Sequence, residues 1–313
     1  MGDFDKALSF YQQSIENDKI TGNKSSQALN FGNIAVIYQQ RGDYEEAVSN
    51  YKQALDIGKS IGSKNIQALY LGNLAVLYSS QGQRERALEL YHEVLELSRT
   101  MGYYVGQVLQ LMNIGLWYHE YGEFEKAVSY FEQALEIAHQ QRLKGHIPML
   151  MLNEGLILHY QNKLERAKSM LEEAINLALE IKSKPIEDYA RRYLGFLLLD
   201  MNEINEAENQ FNLAKIIAES IGSKASLASA NIGQGTINIM RVGNRELLDR
   251  GISEAKKIGD NEVLLKGLIC LAKQLRQSPT HKDEVIAILN EAQDVAEKGG
   301  FLCDLPMIKK LLK

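Results

Sequence analysis

Gly32-Asn33-Ile34-Ala35-Val36-Ile37-Tyr38 returns 40 residues later as Gly72-Asn73-Leu74-Ala75-Val76-Leu77-Tyr78. The same interval separates Asn33, Asn73, Asn113 and Asn153. Ala47, Ala87, Ala127, Ala167 and Ala207 also fall 40 apart, as do Tyr51, Tyr91, Phe131, Leu171 and Phe211. A fixed period in this range marks a stack of identical supersecondary units, each burying its apolar face against the next. Such stacks offer an extended surface to partners, and each unit touches only its neighbours.

One period has two helical halves. Phe31, Ile34, Ala35 and Tyr38 follow the i, i+3, i+4, i+7 rule for one helical face. Gly42-Asp43 ends that helix and opens another. Glycine suits the left-handed residue after a helix, and an aspartate can accept from the free N–H groups of the helix that follows. Ala47, Tyr51, Ala54 and Leu55 then share a face, up to Ile61-Gly62. The unit is a helical hairpin. Ala35, Ala75, Gly115, Gly155, Gly195 and Gly235 form a column of small residues on the first helix. Facing the Ala47 column, they let helix axes approach at the short end of the usual range.

These strings resemble tetratricopeptide repeats, down to the small residue, tyrosine, alanine and aromatic in sequence. The period of 40 exceeds the family's usual 34, so the helices are longer by about a turn. That variant is similar to the repeats of kinesin light chains, Leu-Gly-Asn spindle adaptors and Rap-type peptide sensors. The resemblance covers nearly the whole chain. It implies an all-α fold, a right-handed alpha-alpha superhelix or solenoid of about six to seven helical hairpins.

Residues 3–21 match a second helix without its first, so the array, residues 1–258, is expected to begin in mid-repeat and to belong to a longer protein. Full hairpins are expected at about 25–61, 65–101, 105–141, 145–181 and 185–221. In the sixth, 225–258, Leu247 stands in the alanine column and Gly251 in the aromatic one. Residues 259–313 read as a degenerate seventh repeat, interrupted at Ser278-Pro279, with a capping helix after Asp304.

The resemblance places first helices on the inner surface. A second stripe runs along them, apart from the core face: Leu29, Asn33, Val36 and Gln40, at i, i+4, i+7 and i+11. Its copies include Leu69, Asn73, Val76; Leu109, Asn113, Leu116; Met149, Asn153, Leu156; and Tyr189, Tyr193, Phe196. A carboxamide has an acceptor and two donors, so an asparagine row can pair with an extended backbone without reading its sequence. Bonding between neighbouring helices accounts for the same row. Met112 beside these positions adds to a lining that suits an amphipathic helix or apolar peptide side chains. It equally suits core between first helices. Arg192 can meet a ligand carboxylate or be paired within the fold.

The 313 residues carry a net charge of −5, which disfavours nucleic acid and anionic membranes as partners. No run is long and apolar enough for a membrane helix. The two cysteines, Cys270 and Cys303, fit a reducing cytoplasm. His119 and His159 lie one period apart, but no further ligands have suitable spacing for a metal. No catalytic or nucleotide-binding motif is present. The expected molecule is therefore a scaffold holding a protein or peptide segment in its groove, with no catalytic residue, cofactor or metal. The alternative is a peptide-sensing regulatory region of a bacterial signalling protein such as a transcription regulator, kinase or cyclase, with an upstream domain of the same polypeptide.

Overall fold

A computed structural model describes residues 2–312. Sixteen α-helices are present among the described residues. They fall into two compact units, one up to Trp117 and one from Tyr118 onward. The first unit holds α1 (Gly2–Thr21), α2 (Lys24–Arg41), α3 (Tyr44–Ser60), α4 (Lys64–Ser80), α5 (Arg84–Thr100) and most of α6 (Tyr104–Glu120). The second holds the last turn of α6, α7 (Phe124–Gln140), α8 (Ile147–Tyr160), α9 (Leu164–Glu180), α10 (Lys184–Asp200) and α11 (Ile204–Ile221). It continues through α12 (Lys224–Val242), α13 (Glu246–Ile258), α14 (Asn261–Leu275), α15 (Lys282–Gly299) and α16 (Leu305–Leu312). Consecutive helices from α1 to α5 in the first unit and from α7 to α16 in the second pack as antiparallel hairpins stacked on one another.

A left-handed residue closes the helices at intervals of 20, from Gly22 to Gly222. At each, the N–H of the following residue reaches back to a helical carbonyl, as from Asp43 to Tyr38 and Gln83 to Tyr78. This backbone closure satisfies carbonyls that the helix end would otherwise leave free. The expected side-chain cap at Asp43 does not form. Nor do Gln83, Glu123, Lys163 and Glu203 cap the later second helices. The backbone at these five positions has ψ of 60–69°, less extended than at the four residues that do cap. Those four, Asn23, Ser63, Ser223 and Asp260, all begin first helices.

The columns meet as their sizes require. Ala35, Ala47, Ala75 and Ala87 are fully buried beside Tyr51 in the first unit, and Ala127, Ala167 and Ala207 beside Phe131 and Phe211 in the second. A Cβ on Gly195 would stand 2.7 Å from the Phe211 ring. In the sixth hairpin the register moves. The left-handed turn falls at Gly243, one residue later than the spacing demands. Leu248 and Ile252 consequently stand in the alanine and aromatic columns in place of Leu247 and Gly251, and Gly251 remains buried beside Ile232. The one-residue insertion in the turn is the physical cause.

Candidate functional site

The stripe on the first helices differs between the two units. In the first, Leu29 is 50% exposed and Val36 39%, and on α4 Leu69 is 47% and Val76 50% exposed. Asn33 is exposed between them, and Asn73 and Asn113 are half-buried, as are Met112 and Leu116 on α6. Asparagine is not used uniformly here. Asn30, one turn before Asn33, is buried and donates to Ser14 Oγ and Asp18 Oδ2, both at 2.9 Å. That side chain ties α2 to α1. Asn33 points its carboxamide to the open side of the same helix. The stripe positions on α2 and α4 carry no charge: leucine, asparagine and valine, then Gln40 or Ser80.

In the second unit the corresponding positions are more covered, with Tyr160 and Asp200 at the ends of α8 and α10 still exposed. Met149 is half-buried on α8, and Asn153 and Leu156 are buried. On α10 the stripe is covered by α14. Tyr189 Oη donates to Glu262 Oε1 at 3.1 Å, and Tyr193 Oη donates to the same oxygen. Phe196 is buried, edge-on to Phe211 at 5.0 Å between ring centres. The Lys266 ammonium sits 4.8 Å from its centroid. Lys273 Nζ donates to Asp200 Oδ1 at 2.9 Å, and His159 Nε2 bonds Asp200 Oδ2 at 3.0 Å. Further on, Tyr160 Oη donates to Asp304 Oδ1 at 2.9 Å. Arg192 is held inside: its Nε donates to Asp188 at 3.0 Å, its Nη1 to Ser229 at 3.2 Å, and its guanidinium lies over the Tyr189 ring. Glu262, Lys266 and Lys273 follow the register change at Gly243, so the 40-residue pattern does not mark them.

Electrostatics follow the cover. Burial would raise the Asp200 carboxyl, but His159, Lys273 and Lys266 hold it well below the usual carboxylate range. Burial pushes the Tyr193 hydroxyl well above its ordinary value, with the neighbouring Tyr189 and Glu262 adding to it. Asp304 is raised by burial, against the pull of Lys266 and Tyr160. His119 is pushed down to about 4 by burial, and its ring lies against Phe124 and Tyr160. It is thus a neutral packing residue near pH 7. No group of three or more metal-ligating side chains occurs among the described residues.

Two segments, residues 24–100 and 107–180, match the family described as tetratricopeptide repeat. No curated protein matches the chain by sequence. Among solved structures, the apo form of RapI superposes with a TM-score of 0.77 at 17% identity, over 87% of this chain and 99% of that one. The aspartyl phosphate phosphatase F of Bacillus subtilis gives 0.77 at 14% identity, over 90% of this chain and 73% of that one. The Rap conjugation gene regulator of plasmid pLS20, in complex with the Phr* peptide, gives 0.68 at 16% identity, over 87% and 75% respectively. At these identities the likeness is one of fold.

Proposed function

We propose that the chain, two segments of which match the tetratricopeptide-repeat family, is a non-catalytic interaction module that holds a protein or peptide segment along its first helices. The observation that carries this is the open, uncharged stripe of the first unit, with aliphatic side chains exposed on either side of Asn33. Scattered exposed apolar residues need no explanation, but a contiguous row marks a surface awaiting a partner. In the first unit the proposed contact residues are Asn33, Asn73 and Asn113 with Val36, Val76, Met112 and Leu116. Met149, Asn153 and Leu156 occupy the same positions of the second unit. Tyr189, Arg192 and Phe196 are engaged by partners within the chain, so the proposed surface stops before them.

A second reading is favoured by the Rap likeness. One of those proteins is a gene regulator seen with a peptide, which supports a peptide-sensing regulatory region. Both readings place the ligand on the same stripe. No helix among the described residues is long and apolar enough to cross a membrane. Cys270 and Cys303 are free, which fits the proposed cytoplasmic setting.

The test is capture of partners from the source organism, followed by titration of the purified partner. The Asn33→Ala, Asn73→Ala, Asn113→Ala variant should bind about tenfold more weakly, ~1.4 kcal/mol. Its thermal unfolding should match the wild type. Unchanged affinity with lowered stability would assign the asparagines to the stack itself.

A further inference from the structure

The chain displays one occupant of its own stripe. On α10, Tyr189, Tyr193, Phe196 and Asp200 are each met by a side chain of α14, with Phe196 buried, the tyrosines half-buried and Asp200 exposed. The Tyr189–Glu262 and Asp200–Lys273 bonds both join residues 73 apart. Tyr193–Glu262 and Phe196–Lys266 join residues 69 and 70 apart, so the partners advance together along both helices and α14 runs parallel to α10. The occupant is an α-helix, and its polar groups complement the stripe beneath. Glu262 meets two tyrosine hydroxyls, Lys266 an aromatic face and Lys273 a carboxylate.

On α2 and α4, which lie side by side, the same positions are open and different in chemistry. They hold aliphatic side chains, carboxamides and a hydroxyl, with no hydroxyl–carboxylate pair and no charge. An extended segment laid here would bring a backbone donor and acceptor at every residue. One asparagine per helix, at a spacing of about 10 Å, leaves most of those groups facing Leu29, Val36, Leu69 and Val76. A backbone group that such contact buries without a partner costs about 1–3 kcal/mol. A helix satisfies its own backbone and offers only side chains.

We propose that the α2–α4 stripe is a docking site for an amphipathic α-helix of a partner protein, laid parallel to α2 and α4 as α14 lies on α10. The helix presents aliphatic residues at i, i+3 or i+4, and i+7, with uncharged polar residues beside them. This deepens the interaction-module reading and rests on it.

The whole chain is panned against two displayed libraries side by side. One is of helices on a helical scaffold and one of unconstrained peptides, and the clones are then titrated as purified peptides. The expected result is helical clones with the stated aliphatic spacing. Their affinity should fall at least about tenfold for the Val36→Glu, Val76→Glu variant. Both valines are exposed, so that variant keeps its fold, and circular dichroism checks it. Enrichment of unconstrained, proline-containing peptides alone, still sensitive to the two valines, overturns the helical occupant and leaves the groove reading standing. Binders indifferent to the valine changes, or no binders from either library, overturn the site. The groove reading itself fails separately, when a captured natural partner ignores the asparagine variant.

Discussion

Lys182 has φ of +55°, and Arg142, Asn162 and Asn202 share that left-handed conformation. Earlier copies of the same turn use glycine, as at Gly62 and Gly102. The glycines, and to a lesser degree Asn162 and Asn202, are legible as helix stops in sequence, but Arg142 and Lys182 are not. Their turns are imposed from outside by the packing of the helices on either side, in spite of local preference. A residue with a Cβ in this region gives up about 1–2 kcal/mol, and asparagine less. Glycine avoids that penalty but loses about 0.5–1 kcal/mol through its freer unfolded chain. Lys182→Gly should therefore stabilise the protein by about 0.5 kcal/mol, and Asn162→Gly by less. Urea unfolding at constant slope measures both. A Lys182→Gly protein no more stable than wild type would show that the turn stores no strain at that residue.

Two helical glycines separate the demands made on whole elements. In α4, a Cβ on Gly72 would meet nothing within 4 Å. In α12, a Cβ on Gly235 would stand 2.3 Å from the backbone nitrogen of Leu248 on α13. Gly72→Ala should gain about 1 kcal/mol of helix propensity. Gly235→Ala must push α13 away from α12 and should cost roughly 1–3 kcal/mol. Melting temperatures should accordingly move in opposite directions. A rise for both would mean that the α12–α13 contact relaxes freely. The small-residue column that contains Gly235 is plain in the sequence because both helices repeat it. Its facing partner is not, because the extra residue before Gly243 moves the contact from Leu247 to Leu248. A periodic pattern fixes which faces meet only while the turns keep their length.

At the scale of the molecule, a repeat array is expected to couple each hairpin to its neighbours alone. The second unit departs from this. Tyr160 at the end of α8 and Asp304 at the start of α16 are 144 residues apart and bonded at 2.9 Å. The Tyr189–Glu262 and Asp200–Lys273 pairs, 73 residues apart, do the same between α10 and α14. Two full periods would be 80, and the shortfall of seven is about two helical turns. Three of those residues are lost in the short hairpin of α12 and α13, where Gly222 and Gly259 lie 37 apart, and the other four are about one turn of offset between the paired side chains. The stack and its stripe could thus be read from the repeats, whereas the cover over α10 could not: no repeat announces it. These ties have a consequence that nearest-neighbour coupling lacks. Tyr160→Phe removes one hydroxyl from α8 and leaves its ring stacked on Phe124. A hydrogen bond to a charged group is worth about 1.5–3 kcal/mol when buried and less at a partly exposed site. Amides of α16, near Ile308, should then exchange roughly fivefold faster, ~1 kcal/mol. Those of α15, which packs on α14, should hold their rates. Were α16 to exchange at the wild-type rate, the Tyr160–Asp304 bond would carry no coupling, and the second unit would behave as an ordinary chain of neighbours.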